Sequence, residues 1–410
     1  MRSLFLEDIV HEMLLKEEAE ESIFVCLACI DDTWLKKRPS KCVMEQTCAS
    51  CGVPVTEALT SKVIVEGIKR HLPDHFAVDD DLYPGRGMTL SQIVGIAIKC
   101  NSESVCNAVA KGLVEPNADE GSFYFDGQDY CRKSSRFESV EDKRAWAEAE
   151  WARIATGLIH GRRFFNPIAN GFFEKVISEV MRAGSEANAD TSAVVNILPQ
   201  NTRFYRARIA STHAQIQEFQ KDPPGALGAP PKDRAANNRM SPAGVPLLYV
   251  AADADTGIAE VRPSIGDTVV VGEFIASRPM EFFDFTALTG LQHKELSWFE
   301  HGYRERTDRR LLLEYLHELI ARPVRANDTD YVMTQALAEY IRYYADQRFD
   351  GISFRSVQRA GGINYVIFDK STPEEMLSPN WLPKFSLEAS KEPVSIFEVK
   401  QVQYQTSRCK

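Results

Sequence analysis

Apolar positions follow two grammars along this chain, helical in the first half and largely strand-like in the second. Residues 1 to about 22 carry Leu4, Ile9, Met13 and Leu14 on one side and acidic residues on the other, the period of an amphipathic helix. A second such pattern runs from Thr56 to His71 through Leu59, Val63, Ile64 and Ile68, and Pro73 stops it. Tyr83 to Ala110 adds further helical material, whereas Glu115 to Phe137 is polar and turn-rich. Glu138 to Ala183 reads as two helices broken near Asn166 and Pro167, with Trp146, Trp151, Phe164, Phe165, Phe172 and Phe173 expected in their core. From Ala183 to Thr191 the composition is that of a linker.

After that segment the period shortens. β-type runs are expected at Arg203 to Ile209, Leu247 to Ala251, Thr268 to Ile275, Glu281 to Phe285, Gly351 to Phe354 and Tyr365 to Asp369. Helices are expected around Thr212 to Phe219, Glu305 to Ala321 and Val332 to Gln347. Between Gln220 and Pro246 lies a long loop with six prolines and three glycines, of a length that compact domains keep mainly for function. The expected class is α+β: a mainly helical accessory domain over residues 1–185, then a mixed α/β domain over residues 192–405.

Composition narrows the chemistry more than the fold. The 410 residues exceed one ordinary core, so two domains are the natural expectation. A formal charge of -10 argues against a nucleic-acid partner, whose affinity comes from clustered Lys and Arg. The first apolar stretch is interrupted by Glu7 and Asp8, which a secretory signal would not tolerate, and no apolar run approaches membrane-spanning length. The expectation is a cytoplasmic protein with no membrane partner; the oligomeric state is not readable from sequence.

Nine cysteines are present, and five lie between Cys26 and Cys51. Cys26 and Cys29, then Cys48 and Cys51, form two CxxC pairs, a spacing that brings two sulfurs to each edge of a tetrahedron and favours zinc. Four thiolates leave no open coordination position, so the expected metal is structural. Cys42 reads as a bystander, and Cys100, Cys106 and Cys131 read as buried thiols.

In the second half, alternation along Phe204-Tyr205-Arg206-Ala207-Arg208 sets Arg206 and Arg208 on one face of a strand. Two neighbouring cations suit an anion, and a solvated strand edge is an equally good reading of them alone. Next, Asn238-Arg239-Met240-Ser241 delivers an arginine beside a strand bearing Tyr249. Asp255 or Thr256 can cap a short helix with Glu260 about one turn in, where a carboxylate is ordinarily surface charge. Finally Asp350 to Ser356 and Gly361 to Phe368, with Asn364 on the second run, read as two strands joined by a polar turn.

In this order, from about Arg203 to Asp369, these segments resemble the RES domain family, named for its Arg, Glu and Ser residues and related in fold to ADP-ribosyltransferases. The Arg239 to Glu260 block carries most of the likeness. Where the family usually has Gly-Arg, an aromatic residue and Asn, this chain has Asn238-Arg239-Met240-Ser241. The N-terminal part resembles the zinc-containing domain sometimes found ahead of RES domains, chiefly in its CxxC pairs.

The resemblance implies NAD as substrate rather than cofactor. It gives Glu260, Arg206 and Ser356 catalytic roles and Arg239, Tyr249, Arg208 and Asn364 substrate-binding roles. It implies cleavage of the nicotinamide–ribose bond by water or phosphate in a toxin or defence effector, held in check by an antitoxin or other regulator. Transfer of ADP-ribose to a protein is the alternative, and a non-catalytic nucleotide sensor or scaffold a further one. The chemistry agrees: nicotinamide loss leaves an oxocarbenium-like ribose that an anionic carboxylate stabilises, and paired guanidinium groups suit a pyrophosphate. No G-x-G-x-x-G phosphate loop is present, so a Rossmann dehydrogenase is not expected. Arg208 to His213 matches a spacing of helical ribonucleases but lies outside the helical region.

Overall fold

The computed structural model describes residues 22–79, 87–133, 139–187, 194–288, 296–321, 331–343, 345, 348–378 and 380–403. The helix expected over residues 1 to 22 lies almost wholly outside them, as does Cys409. The chain divides into two compact units, Met1–Val140 with Glu295–Thr307, and Glu141–Lys294 with Asp308–Lys410. Among the described residues no helix is long and apolar enough to cross a membrane.

The first unit combines helices with two small sheets. Strands β1 (Phe24–Val25), β2 (Ser40–Thr47) and β3 (Pro54–Thr60) form an antiparallel sheet in the order β1-β3-β2. The helix expected from Thr56 therefore starts later, as α1 (Ser61–Ile68), where the Thr60 side chain accepts from the Val63 amide at 3.2 Å. Residues 54–60 are drawn into pairing with β1 and β2 on both sides, which overrides their helical period. Helices α2 (Leu72–His75), α3 (Leu90–Ile98) and α4 (Glu103–Leu113) follow, and α3 is opened by a Thr89–Gln92 capping box. Strands β4 (Phe76–Val78) and β5 (Tyr130–Arg132) form the second sheet. Ile64, Ile68, Ile93, Val94, Val105 and Val109 fill the core, together with Phe299 from the later segment. Cys100 and Cys106 are buried as expected, but Cys131 is exposed, because it points outward from β5.

The second unit is built on one long sheet. Its strands are β6 (Val195–Leu198), β7 (Arg203–Ala210), β8 (Leu248–Ala251), β9 (Thr268–Ala276), β10 (Met280–Asp284), β11 (Gly351–Arg355), β12 (Ile363–Ile367), β13 (Leu387–Ala389) and β14 (Ser395–Glu398). They run in the order β13-β9-β7-β8-β12-β11-β10-β6, with β14 also against β9. All neighbours are antiparallel except β10 and β11. Gly351 opens β11 because a Cβ there would meet the Val366 carbonyl oxygen at 2.2 Å.

Helices cover both faces. α5 (Val140–Thr156), α6 (Pro167–Ala187), α10 (Tyr303–Ala321) and α11 (Val332–Tyr343) contribute residues to one core, with Trp151, Phe173 and Val176 against Leu312, Leu337, Ile352 and Val366. On the other face α7 (His213–Lys221) and α8 (Pro223–Leu227) bring Ile216, Phe219 and Leu227 to Phe204, Val270 and Tyr365. A short α12 (Pro373–Met376) lies near the end of the chain. The helices at 141–187 thus share the core of this unit, whereas sequence placed them in the accessory region. Trp151 Nε1 even donates to the Leu312 carbonyl at 3.0 Å. The expected linker begins later than Ala183, since α6 continues to Ala187. Phe164 and Phe165, expected in the core, are exposed by 76% and 94%: they fall in the loop between α5 and α6, where Phe165 turns the chain with φ 51°.

Candidate functional site

Glu260 closes a helix that sequence located but capped at the wrong residue. In α9 (Ala254–Glu260) the cap is Asp253, whose carboxylate accepts from the Thr256 amide at 2.9 Å and its hydroxyl at 2.8 Å. Asp255 and Thr256 lie inside the helix instead. Tyr205, Ala207, Ile209, Val269 and Val271 receive Ala254 and Ile258, so α9 is seated on β7 and β9. Its end is marked by Arg262, with φ 49°.

At that end three residues far apart in sequence meet. Glu260 Oε1 accepts from Ser356 Oγ at 2.6 Å and from Asn364 Nδ2 at 2.7 Å. Ser356 Oγ in turn accepts from the amides of Gln358 and Arg359, both at 3.1 Å. A hydroxyl has one proton and two lone pairs, so this one is fully used and its proton is committed to Glu260. Oε2 of Glu260 has no hydrogen-bond partner among the described residues, and the side chain is exposed.

A second group adjoins the first. Asn238 and Ser241 exchange backbone hydrogen bonds of 2.8 and 3.3 Å, a tight turn with Arg239 at its tip. Helix α11 holds this turn: Gln335 Nε2 donates to Asn237 Oδ1 and the Asn238 carbonyl, both at 2.7 Å, and Thr334 Oγ1 donates to the Arg239 carbonyl at 2.5 Å. The Tyr249 hydroxyl anchors the same turn, accepting from the Met240 amide at 3.3 Å and lying 3.1 Å from Ser241 Oγ. Burial lowers the Arg239 pKa, an effect opposed by Tyr331, Glu260 and Tyr249 nearby. Burial likewise raises Tyr249 to about 12, so it is a neutral phenol. Thr334 and Gln335 were not singled out from sequence. Their signal is only a polar pair in the first turn of a helix whose other polar residues, Glu339 and Arg342, come later.

Arg206 and Arg208 join this group less directly. Tyr205, Ala251 and Asn364 lie in one row across β7, β8 and β12, hence on one face. By alternation Arg206 and Arg208 start on the other face. β7 and β8 share only the Tyr205↔Ala251 pair, and where they part Arg206 Nη1 donates to the Tyr249 carbonyl at 3.0 Å. Burial and the neighbouring Arg208 pull Arg206 down to about 10, still cationic at neutral pH. Arg208 is lowered by burial and by Arg234, and its buried Nε has no hydrogen-bond partner among the described residues. The seven sequence-selected residues therefore form a bonded trio (Glu260, Ser356, Asn364), an adjoining pair (Arg239, Tyr249), Arg206 attached through Tyr249, and Arg208 beside Arg206 and Arg234.

In the first unit the four expected cysteines do come together. The sulfurs of Cys26, Cys29, Cys48 and Cys51 all lie within 4.8 Å of one another, and Cys42 is not among them. Cys26 to Cys51 measures 3.7 Å and Cys29 to Cys48 4.0 Å. A zinc tetrahedron with bonds of about 2.3 Å has sulfur–sulfur edges of about 3.8 Å, so the donor set fits this metal. Burial opposes a Cys48 thiolate, but the amides of Cys26, Cys51 and Ser50 outweigh it and bring its pKa to about 6. Gly52, with φ 74°, closes the second knuckle as its amide donates to the Cys48 carbonyl at 2.8 Å.

No curated protein and no solved structure matches the chain. The family model described as RES domain matches residues 185–390, half of the chain and wider at both ends than the span recognised from sequence. That range runs from within α6 to β13, taking in every strand of the long sheet except β14, all seven site residues and the Ser356–Gly362 turn. The bonded trio of Glu260, Ser356 and Asn364 thus sits inside the matched region, NAD-related activity is what that match suggests, and the chain belongs to the RES domain family.

Proposed function

We propose that the second unit consumes NAD by cleaving its nicotinamide–ribose bond, with water as the acceptor of ADP-ribose. The observation that carries this reading is the Glu260 carboxylate, fixed through Oε1 by Ser356 and Asn364 while Oε2 stays available. In the reaction the bond from C1′ to the pyridinium nitrogen breaks. The electron pair leaves with nicotinamide and quenches its positive charge, and an oxocarbenium-like ribose remains. An oriented carboxylate stabilises that cation, and Oε2 is suited to a ribose hydroxyl or to the water that adds to C1′ and gives up a proton.

Arg239 and Arg206 supply the pyrophosphate contacts in this scheme. Both are desolvated cations, which gain most from a bidentate anion. Tyr249 holds the Arg239 turn through its hydroxyl and lines the site with its ring, while Arg208 extends the cationic strip. Ser356 and Asn364 serve the carboxylate rather than the nicotinamide amide. Glu260 is exposed, so solvent water can reach Oε2 and serve as the acceptor. The four cysteines bind a structural zinc in the same reading, and a toxin-like NAD consumer calls for a controlling partner protein.

The test is product analysis on purified full-length protein with NAD, with and without phosphate. Equal amounts of nicotinamide and free ADP-ribose support hydrolysis. A phosphorylated ribose product means phosphate is the acceptor, labelled ADP-ribose on protein means transferase activity, and saturable NAD binding without consumption removes the catalytic reading.

A further inference from the structure

The turn between β11 and β12 grips α9 at both ends, and one residue makes both grips possible. At the far end Ser356 donates to Glu260. At the near end Arg359 Nη1 reaches Asp253 Oδ1 at 3.1 Å, Asp253 Oδ2 at 3.2 Å and Thr256 Oγ1 at 3.0 Å, and Nη2 lies 3.4 Å from Asp255. The backbone of Arg359 meanwhile donates to Ser356 Oγ and accepts from the Gly362 amide at 3.1 Å. The turn lies directly on the helix: a Cβ on Gly362 would be 2.6 Å from Thr256 Oγ1. α9 is about 10 Å long, so the Arg359 guanidinium holds only its first turn, while the Arg359 backbone amide, together with that of Gln358, holds Ser356 at its last.

We propose that Arg359 is a positioning residue for Glu260, acting through the capped first turn of α9 and through its own amide on Ser356. Its guanidinium spans two acceptors on different residues, the Asp253 carboxylate and the Thr256 hydroxyl, which a lysine's point charge cannot reproduce in one geometry. Loss of the clamp lets the seven-residue helix shift on β7, and the carboxylate shifts with it. Arg206, Arg239 and Tyr249 stand on other elements, so substrate capture is spared. This inference rests on the proposed role of Glu260.

The experiment compares full-length wild type, E260Q, R359A, R359K, D253N and the R359A/D253N pair in steady-state NAD consumption, with R355A as a control that removes an exposed cation of the same strand end. Misplaced catalytic groups cost up to about 100-fold. The expected result is a roughly 10- to 100-fold lower kcat for R359A with KM within about twofold, partial recovery in R359K, no further loss in the double variant, and R355A near wild type. Hydrogen exchange over residues 254–261 should be faster in R359A than in R355A, a readout independent of catalysis. A kcat for R359A equal to wild type while E260Q is inactive overturns the inference and leaves the function standing. An inactive wild type overturns the function, and unchanged exchange in R359A then overturns the clamp as well.

Discussion

Ser356 and Asn364 each spend a donor on one oxygen of Glu260, and the proposed chemistry depends on that economy. Hydrogen bonds to charged groups are worth about 1.5–3 kcal/mol, so S356A should lower kcat/KM for NAD by roughly 10- to 100-fold with little loss of fold. R239A should instead raise KM, because it removes a pyrophosphate contact. Steady-state kinetics on the two variants separate these effects, and identical profiles would contradict the assigned roles. Another residue carries stability. Asp350 is buried; although desolvation opposes its charge, Arg278, Lys370 and the Glu281 amide hold its carboxyl below the ordinary range. A lowered folded pKa stabilises above the unfolded value and is lost as pH falls through the folded one. D350N should thus cost about 1–3 kcal/mol near neutrality, and its deficit against wild type should shrink below about pH 4, measured by urea unfolding. Glu260, Arg239 and Ser356 could be singled out as candidates in sequence because residue type and order mark them. Asp253 and Arg359 could not: their meaning arises only where the turn that carries Arg359, about 100 residues further along the chain, packs onto the helix that Asp253 caps.

At the scale of elements, the central strands of the second unit were readable because helices cover both faces of the sheet, so β9, β11 and β12 are short runs of mostly buried, β-branched and aromatic residues. β6, β13 and β14 escaped, being short strands at or beside sheet edges with half-exposed or exposed positions. β3 was misread as helix because its neighbours, not its own period, decide its state. Helix α11 was placed correctly, but its hold on the Arg239 turn was invisible, since Thr334 and Gln335 act on backbone carbonyls of a distant loop. T334V with Q335A should therefore loosen that turn, raising KM for NAD several-fold while kcat changes less; the reverse split would count against α11 as the loop's support. The CxxC pairs were legible from spacing alone. Elemental analysis should find about one zinc per chain, and C48S should lose it and unfold the first unit, seen as a lost thermal transition. Retained structure after zinc removal would contradict a structural metal.

Across the whole molecule the sequence reading set the boundary between the two units later than the compact units have it. The change from helical to strand-like period falls after residue 187, yet α5 and α6 bury Trp151, Phe173 and Val176 in the core of the second unit. Periodicity reports which element a segment forms and not which core receives it. A truncated chain beginning after residue 190 would expose that core; it should be insoluble, whereas one beginning near Val140 should keep the second unit intact. The central claim concerns one carboxylate in this unit. Its most direct test follows nicotinamide release from NAD by wild type and E260Q at neutral pH, with circular dichroism to confirm that both fold. The proposed role of Glu260 predicts steady release by wild type and a loss of about 100-fold or more in E260Q, the scale of removing a preorganised charge at a transition state. Equal release by the two proteins would contradict it.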